Sequence, residues 1–221
     1  MIEKHIFNDL NFFPNKMKIL ILGTFPIPLY SNKEKFEKLK DEEKENAWYY
    51  SSKKSEFWKI IADSFNIDYK NNDFISSKIK KKMLFENKKI GIADVFNKCK
   101  RKNENSSKDI DLIIVEYNDF ISNIIRDYND LKLIIFTSRF TENNFFKIIN
   151  NNKLNYALEE SNDINIFYKE LNIINAIRER YLIINDRKIK IATITLKISP
   201  VKGVSLYSTK RELYKYYLNL Y

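Results

Sequence analysis

Four apolar runs interrupt an otherwise lysine- and asparagine-rich chain. KMKILILG at 16–23 is mostly apolar and ends in glycine, and KKIGIADVF carries a shorter run at 90–93. LKLIIFTS at 131–138 and RKIKIATITL at 187–196 supply the third and fourth, the last alternating in its first half. Short continuous apolar runs bounded by small residues predict strands covered on both faces, as in a parallel sheet. Tyr181 to Ile184 is expected to pair with the fourth run as a hairpin around Asn185-Asp186.

Between these runs the apolar positions change period. Phe57, Ile60, Ile61 and Phe65 recur at three and four residues, as do Tyr117, Phe120, Ile121, Ile124 and Ile125. Phe145, Phe146 and Ile149 follow the third run, with Thr141 as the expected cap. Leu213, Tyr217 and Leu220 close the chain, where Thr209 and Glu212 have capping-box spacing. Strand and helix in succession predict an α/β fold with one parallel sheet and helices on both faces. Such sheets bind ligands at the carboxyl ends of their strands. The loops GTFPIP, ADVFNKCKR, FTSRF and KISPVKG are expected to gather there.

Composition narrows the choices. With 221 residues, 44% hydrophobic and 14% aromatic, the chain can bury a sizeable core. A single cysteine, Cys99, excludes an internal disulfide and multi-cysteine metal sites, so no metal and no cofactor is expected. No apolar run is long enough to span a bilayer and the first residues do not read as a signal peptide, so a cytoplasmic protein is expected, nucleoid-associated if the source is prokaryotic. Net charge is +10, and from Arg187 to Tyr221 eight lysines and arginines face one acid, Glu212. A second basic cluster, KCKRK, runs from Lys98 to Lys102. This imbalance favours a polyanionic partner, nucleic acid first.

Candidate chemistry sits at the expected carboxyl edge. Gly23 and Thr24 end the first strand, and Pro26 and Pro28 stiffen the loop beyond it. In YYSSKKSEFWKII, Phe57 and Trp58 open a helix, either with one packing inward while the other faces a pocket or with both in the core. Ser55 either exposes a hydroxyl to that pocket or caps the helix. Asp94 either orients a water or caps a helix, and Lys98, Lys100 and Arg101 either contact phosphates or form a solvated face. Ser199-Pro200 and Lys202-Gly203 suit a nucleic-acid backbone or an ordinary turn. His5, the only histidine, falls in an expected terminal extension, and Cys99 is expected to be a buried small side chain.

Taken in order, ILILGTFP, YY…FWKII, GIADVFNKCKR with SSKDI, LIIFTSRFTENNFF and KISPVKGVSLYS resemble the motifs of the uracil-DNA glycosylase superfamily. The resemblance is nearest to its hypoxanthine-DNA and mismatch-specific thymine/uracil branches, and it spans about Lys16 to Tyr221. It implies a three-layer α/β/α fold with a central four-stranded parallel sheet, in one domain over 1–221 with insertions near 32–46 and 151–179. The implied activity is hydrolysis of the N-glycosidic bond of a flipped base by a monomer on single- or double-stranded DNA, without a cofactor.

By the same resemblance, Ser55 and Asp94 hold the catalytic positions. Gly23, Thr24, Phe25, Pro26, Tyr50, Phe57, Thr137 and Ser138 line the base pocket, with Phe57 as the stacking aromatic. Lys98, Lys100, Arg101, Ser199, Pro200, Lys202 and Gly203 contact DNA. The sequence departs from the close relatives at three places: Ser55 replaces an asparagine, Ser52-Lys53 a His-Pro pair, and Phe25 an aspartate of the most active branches. An alternative is therefore a weakened or inactive protein of the same fold that binds DNA or a base.

Overall fold

The computed structural model describes residues 1–7, 11–161, 177–196 and 207–221. Among the described residues the central sheet has six strands, against the four parallel strands and one hairpin partner expected. β2 (Ile19–Gly23) runs parallel to β3 (Ile90–Asp94) on one side and to β6 (Leu133–Phe136) on the other. β9 (Arg187–Ile194) follows, parallel to β6. Two antiparallel strands, β8 (Ile177–Ile184) and β7 (Ala157–Glu160), extend the sheet beyond β9. Asn185 and Asp186 form the tight β8–β9 turn with φ of 49° and 59°, the left-handed pair that a two-residue hairpin requires.

Period-two alternation divides the buried strands between two cores. Ile19, Ile21, Ile90, Ile92, Leu133 and Ile135 face α4 (Phe57–Ser64), α5 (Lys78–Lys88) and α8 (Tyr207–Leu218). Leu20, Leu22, Ala93, Ile134 and Phe136 face α6 (Phe120–Asp127) and α7 (Arg139–Asn151). The sheet therefore lies between two helical layers. Short helices α1 (Pro28–Ser31), α2 (Lys33–Glu37) and α3 (Asp41–Glu45) carry the chain from β2 toward α4.

Several local expectations are corrected. The α7 cap is Ser138, whose hydroxyl accepts from the Thr141 amide at 3.1 Å, so Thr141 already lies inside the helix. Thr209 likewise lies inside α8. Tyr117 ends a strand, β5 (Leu112–Tyr117), where helical spacing was expected.

ADVFNKCKR is not a loop. It continues directly into β4 (Phe96–Arg101), which pairs antiparallel with β5 and with β1 (Ile2–Lys4) in a second, three-stranded sheet. The amino terminus is thus a strand rather than an extension. Its alternation turns Glu3, His5 and Phe7 inward, all buried.

Candidate active site

Gly23 and Asp94 end neighbouring parallel strands in direct register. The Val95 amide donates to the Gly23 carbonyl at 3.0 Å, locking the two ends together. A Cβ on Gly23 would overlap both the Asp94 Oδ1 and the Tyr50 hydroxyl, so only glycine lets these groups meet over the backbone. The Tyr50 oxygen also lies 3.3 Å from the Thr137 hydroxyl, which in turn donates to the Leu22 carbonyl at 3.3 Å.

Of the two readings of Phe57 and Trp58, the one with both in the core is seen. Phe57 is fully buried and Trp58 is 2% exposed. Trp58 stacks on Trp48 at 5.3 Å and donates its indole N–H to the Tyr49 carbonyl at 2.6 Å. Phe57 is covered by the half-buried Tyr50, their centroids 4.4 Å apart, with Tyr214 edge-on at 6.1 Å. The face expected to receive a base is therefore occupied by the protein's own phenol. Ser55 acts locally, its oxygen accepting the Phe57 amide at 3.2 Å at the start of α4. The α4 cap is Glu56, so this contact is a local turn just ahead of the helix and not a cap.

Asp94 is 5% exposed, and its Oδ2 lies 2.7 Å from Nε2 of the equally buried His5. The other ring nitrogen, Nδ1, accepts the Phe7 amide at 3.0 Å and so carries no proton. Asn118 donates to the Asp94 carbonyl at 2.9 Å, fixing the backbone as well. Burial, reinforced by the negative charge of Asp94, holds the phenols of Tyr49 and Tyr50 well above the usual tyrosine range. Both remain neutral hydroxyls at physiological pH.

A second carboxylate, Asp109, belongs in the sequence only to the SSKDI element. It lies in a single 3-10 turn, Asp109–Asp111, ahead of β5. Thr24 donates to its Oδ2 at 3.3 Å and Ser138 at 3.4 Å. Thr141 links these hydroxyls, 2.8 Å from that of Thr24 and 2.9 Å from that of Ser138. Burial raises the Asp109 carboxyl above the usual aspartate value and the nearby Asp94 charge adds to this; the two hydroxyls and Arg101 oppose it. Thr24, Thr137 and Ser138 thus join Gly23, Tyr50 and Asp94 at one edge. The only sequence signal for Asp109 was its place beside a motif, because the hydroxyls that hold it come from distant strands.

The basic residues divide. Arg101 is turned inward, pairing with the buried Glu3 at 2.9 Å and donating to the carbonyls of Ser106, at 2.7 Å, and Pro26. Its guanidinium also lies 5.6 Å from the Phe25 ring. Every arm of that fork is engaged within the protein, so in this conformation it presents nothing to a phosphate. Lys98 pairs with Glu116 on the outer face of the three-stranded sheet, and Lys100 is exposed there. Ser199, Pro200, Lys202 and Gly203 lie outside the described residues. Cys99 is buried, its thiol pushed up to about 12 by burial.

At the opposite, amino-terminal edge of the strands, Lys16, Asp127, Tyr128, Asn129 and Asp130 line a depression of about 250 Å³. Among the described residues no group of three or more His, Cys, Asp or Glu is placed to hold a metal ion, and no helix is long and apolar enough to cross a membrane.

A solved structure resembles this chain throughout its length. It is the solution NMR structure of a "putative Uracil DNA glycosylase" from Methanosarcina acetivorans, with TM-score 0.52 and 17% identity over 98% of each chain. The likeness is one of fold. No family model matches the sequence, and no curated protein matches it.

Proposed function

We propose that the protein is a monofunctional DNA glycosylase. It would hydrolyse the N-glycosidic bond of a deaminated or otherwise modified base, of the uracil or hypoxanthine type, turned out of DNA. The reading rests on one observation above the others: a buried, oriented carboxylate, Asp94, meets a glycine and a neutral phenol at the carboxyl edge of a sheet whose fold resembles that of the archaeal protein.

In this scheme Tyr50 swings away and the base takes its place on Phe57, where stacking contributes about 1–3 kcal/mol. Thr24 and Thr137 supply polar contacts to the edge of the ring. Asp94 holds a water against the anomeric carbon. The water oxygen bonds to that carbon while the C–N bond breaks, its electron pair leaving with the base. The water's proton passes to Asp94. Hydrogen bonds to the departing base spread its charge and lower the barrier. Ser55, beside Phe57 at the helix start, completes the wall. Lys98, Lys100 and residues 199–203 hold the DNA backbone of a single flipped lesion, which one protein molecule suffices to engage.

Incubation with single- and double-stranded oligonucleotides carrying uracil, hypoxanthine or other modified bases should leave alkali-labile abasic sites. Complete inertness over a broad panel sinks the enzyme. A second reading, a binder without catalysis, is favoured by Tyr50 filling the face of Phe57 and by the Ser55 hydroxyl serving the Phe57 amide. Tight, steeply salt-dependent binding to modified DNA with no scission after alkali would support that reading instead.

A further inference from the structure

We propose that His5, delivered by the amino-terminal strand, is a positioning residue for Asp94; this rests on the glycosylase reading above. Three independent features of its surroundings carry the assignment.

The first is the proton. Nδ1 accepts the Phe7 amide at 3.0 Å, so the one hydrogen of a neutral ring resides on Nε2, 2.7 Å from Asp94 Oδ2. His5 is therefore the donor and Asp94 the anionic acceptor. With Oδ2 held by His5, the carboxylate is fixed in the orientation that sets Oδ1 over Gly23, where the missing Cβ makes room.

The second is rigidity. The imidazole is walled by the rings of Phe7 at 5.8 Å, Phe25 at 5.7 Å and Tyr49 at 5.6 Å. The His5 amide donates to the Asn97 carbonyl at 2.8 Å, which ties the ring's own backbone to the strand leaving Asp94. Neither ring nor main chain is left to drift.

The third is the choice of residue types. Glu3 and His5 are the successive inward positions of this short segment, and both are polar and buried. Glu3 accepts from Ser31 and pairs with Arg101, which also holds the Pro26 carbonyl. A segment serving only the core would gain more from apolar side chains, since buried polar groups return little net stability. Here each one instead fixes a part of the site: Glu3 the 26–31 turn, His5 the carboxylate.

With one histidine in the sequence, the ring can be read directly in the full chain. In ¹⁵N-histidine-labelled protein the expected spectrum is that of an Nε2–H tautomer, perturbed by Asp94→Asn. For uracil or hypoxanthine release, His5→Phe keeps an aromatic wall but removes the donor, and should lower kcat about tenfold or more with KM little changed. His5→Gln, which can still donate to Asp94, should recover much of kcat. Circular dichroism and melting establish that both variants are folded.

A wild-type enzyme with an Nδ1–H ring, a His5→Phe variant with undiminished kcat, or a folded His5→Gln no better than His5→Phe overturns the role of His5 alone. A wild-type protein inert on every base, yet showing the Nε2–H tautomer, overturns the glycosylase reading while leaving the geometry of the pair intact.

Discussion

The ring of Tyr50 lies over the ring of Phe57 at 4.4 Å, inclined by 34°, on the face that the proposed function assigns to a base. Tyr50 holds that pose from a left-handed backbone, φ 56°, which bulky side chains rarely adopt. Its hydroxyl reaches Thr137 and the space above Gly23. Strain at a residue that fills a site is the arrangement expected of a side chain that must leave it.

Tyr50→Gly should therefore open the slot and relieve the backbone at once. Free uracil or hypoxanthine, titrated calorimetrically, should bind the variant at least about tenfold tighter than the wild type, a change of about 1.4 kcal/mol. Equal affinity would mean that the phenol is a fixed part of the wall.

Gly23→Ala forces a methyl group into Asp94 and Tyr50. A loss of about 1–3 kcal/mol in chemical denaturation is expected for such overpacking. Any base release should fall further than stability does, because the carboxylate itself is displaced. A variant as stable and active as wild type would show that the strand ends separate freely.

Asp109 links the site to pH. Its folded-state carboxyl binds protons more tightly than in the unfolded chain, so its contribution to stability is fully present below the unfolded value and is lost as pH rises through the folded one. Asp109→Asn, which cannot ionise, should gain in melting temperature relative to wild type as pH is raised from about 4 toward neutrality. A difference independent of pH would remove the proposed burial penalty.

Arg101 and Lys100 should separate structural from DNA-binding charge. Arg101→Met leaves Glu3 buried without its partner, and a loss of about 3–5 kcal/mol is expected in denaturant. Lys100→Gln should leave stability within about 0.5 kcal/mol. If Lys100 contacts a phosphate, it should also reduce the salt slope of DNA binding by about 1. The opposite pattern would reassign both residues.

The apolar runs were enough to locate β2, β3, β6 and β9, because a strand buried on both faces must be continuously apolar whatever surrounds it. The β8–β9 hairpin was equally legible, since Asn185-Asp186 suits a turn with two positive φ angles. Gly23 could be recognised as a point of close approach, though not which groups approached it. By contrast, β1, β4 and β5 were hidden: KCKRK reads as a solvated basic run until partner strands impose alternation and turn Cys99 and Arg101 inward. Phe57 and Trp58 stood out as a pair, but their roles did not, because adjacent residues at a helix start are both buried once Tyr50 and Trp48 cover them.

What the sequence by itself determined is thus the layered α/β architecture and the edge at which Gly23, Thr24, Asp94 and Thr137 gather, since both follow from local periodicity and strand direction. Only the tertiary structure decided the membership of the site. His5 meets Asp94 across 89 positions, and Thr24 meets Asp109 across 85. Such pairings depend on how sheets dock and which rotamers the packing permits, and nothing in a residue's sequence neighbourhood encodes them.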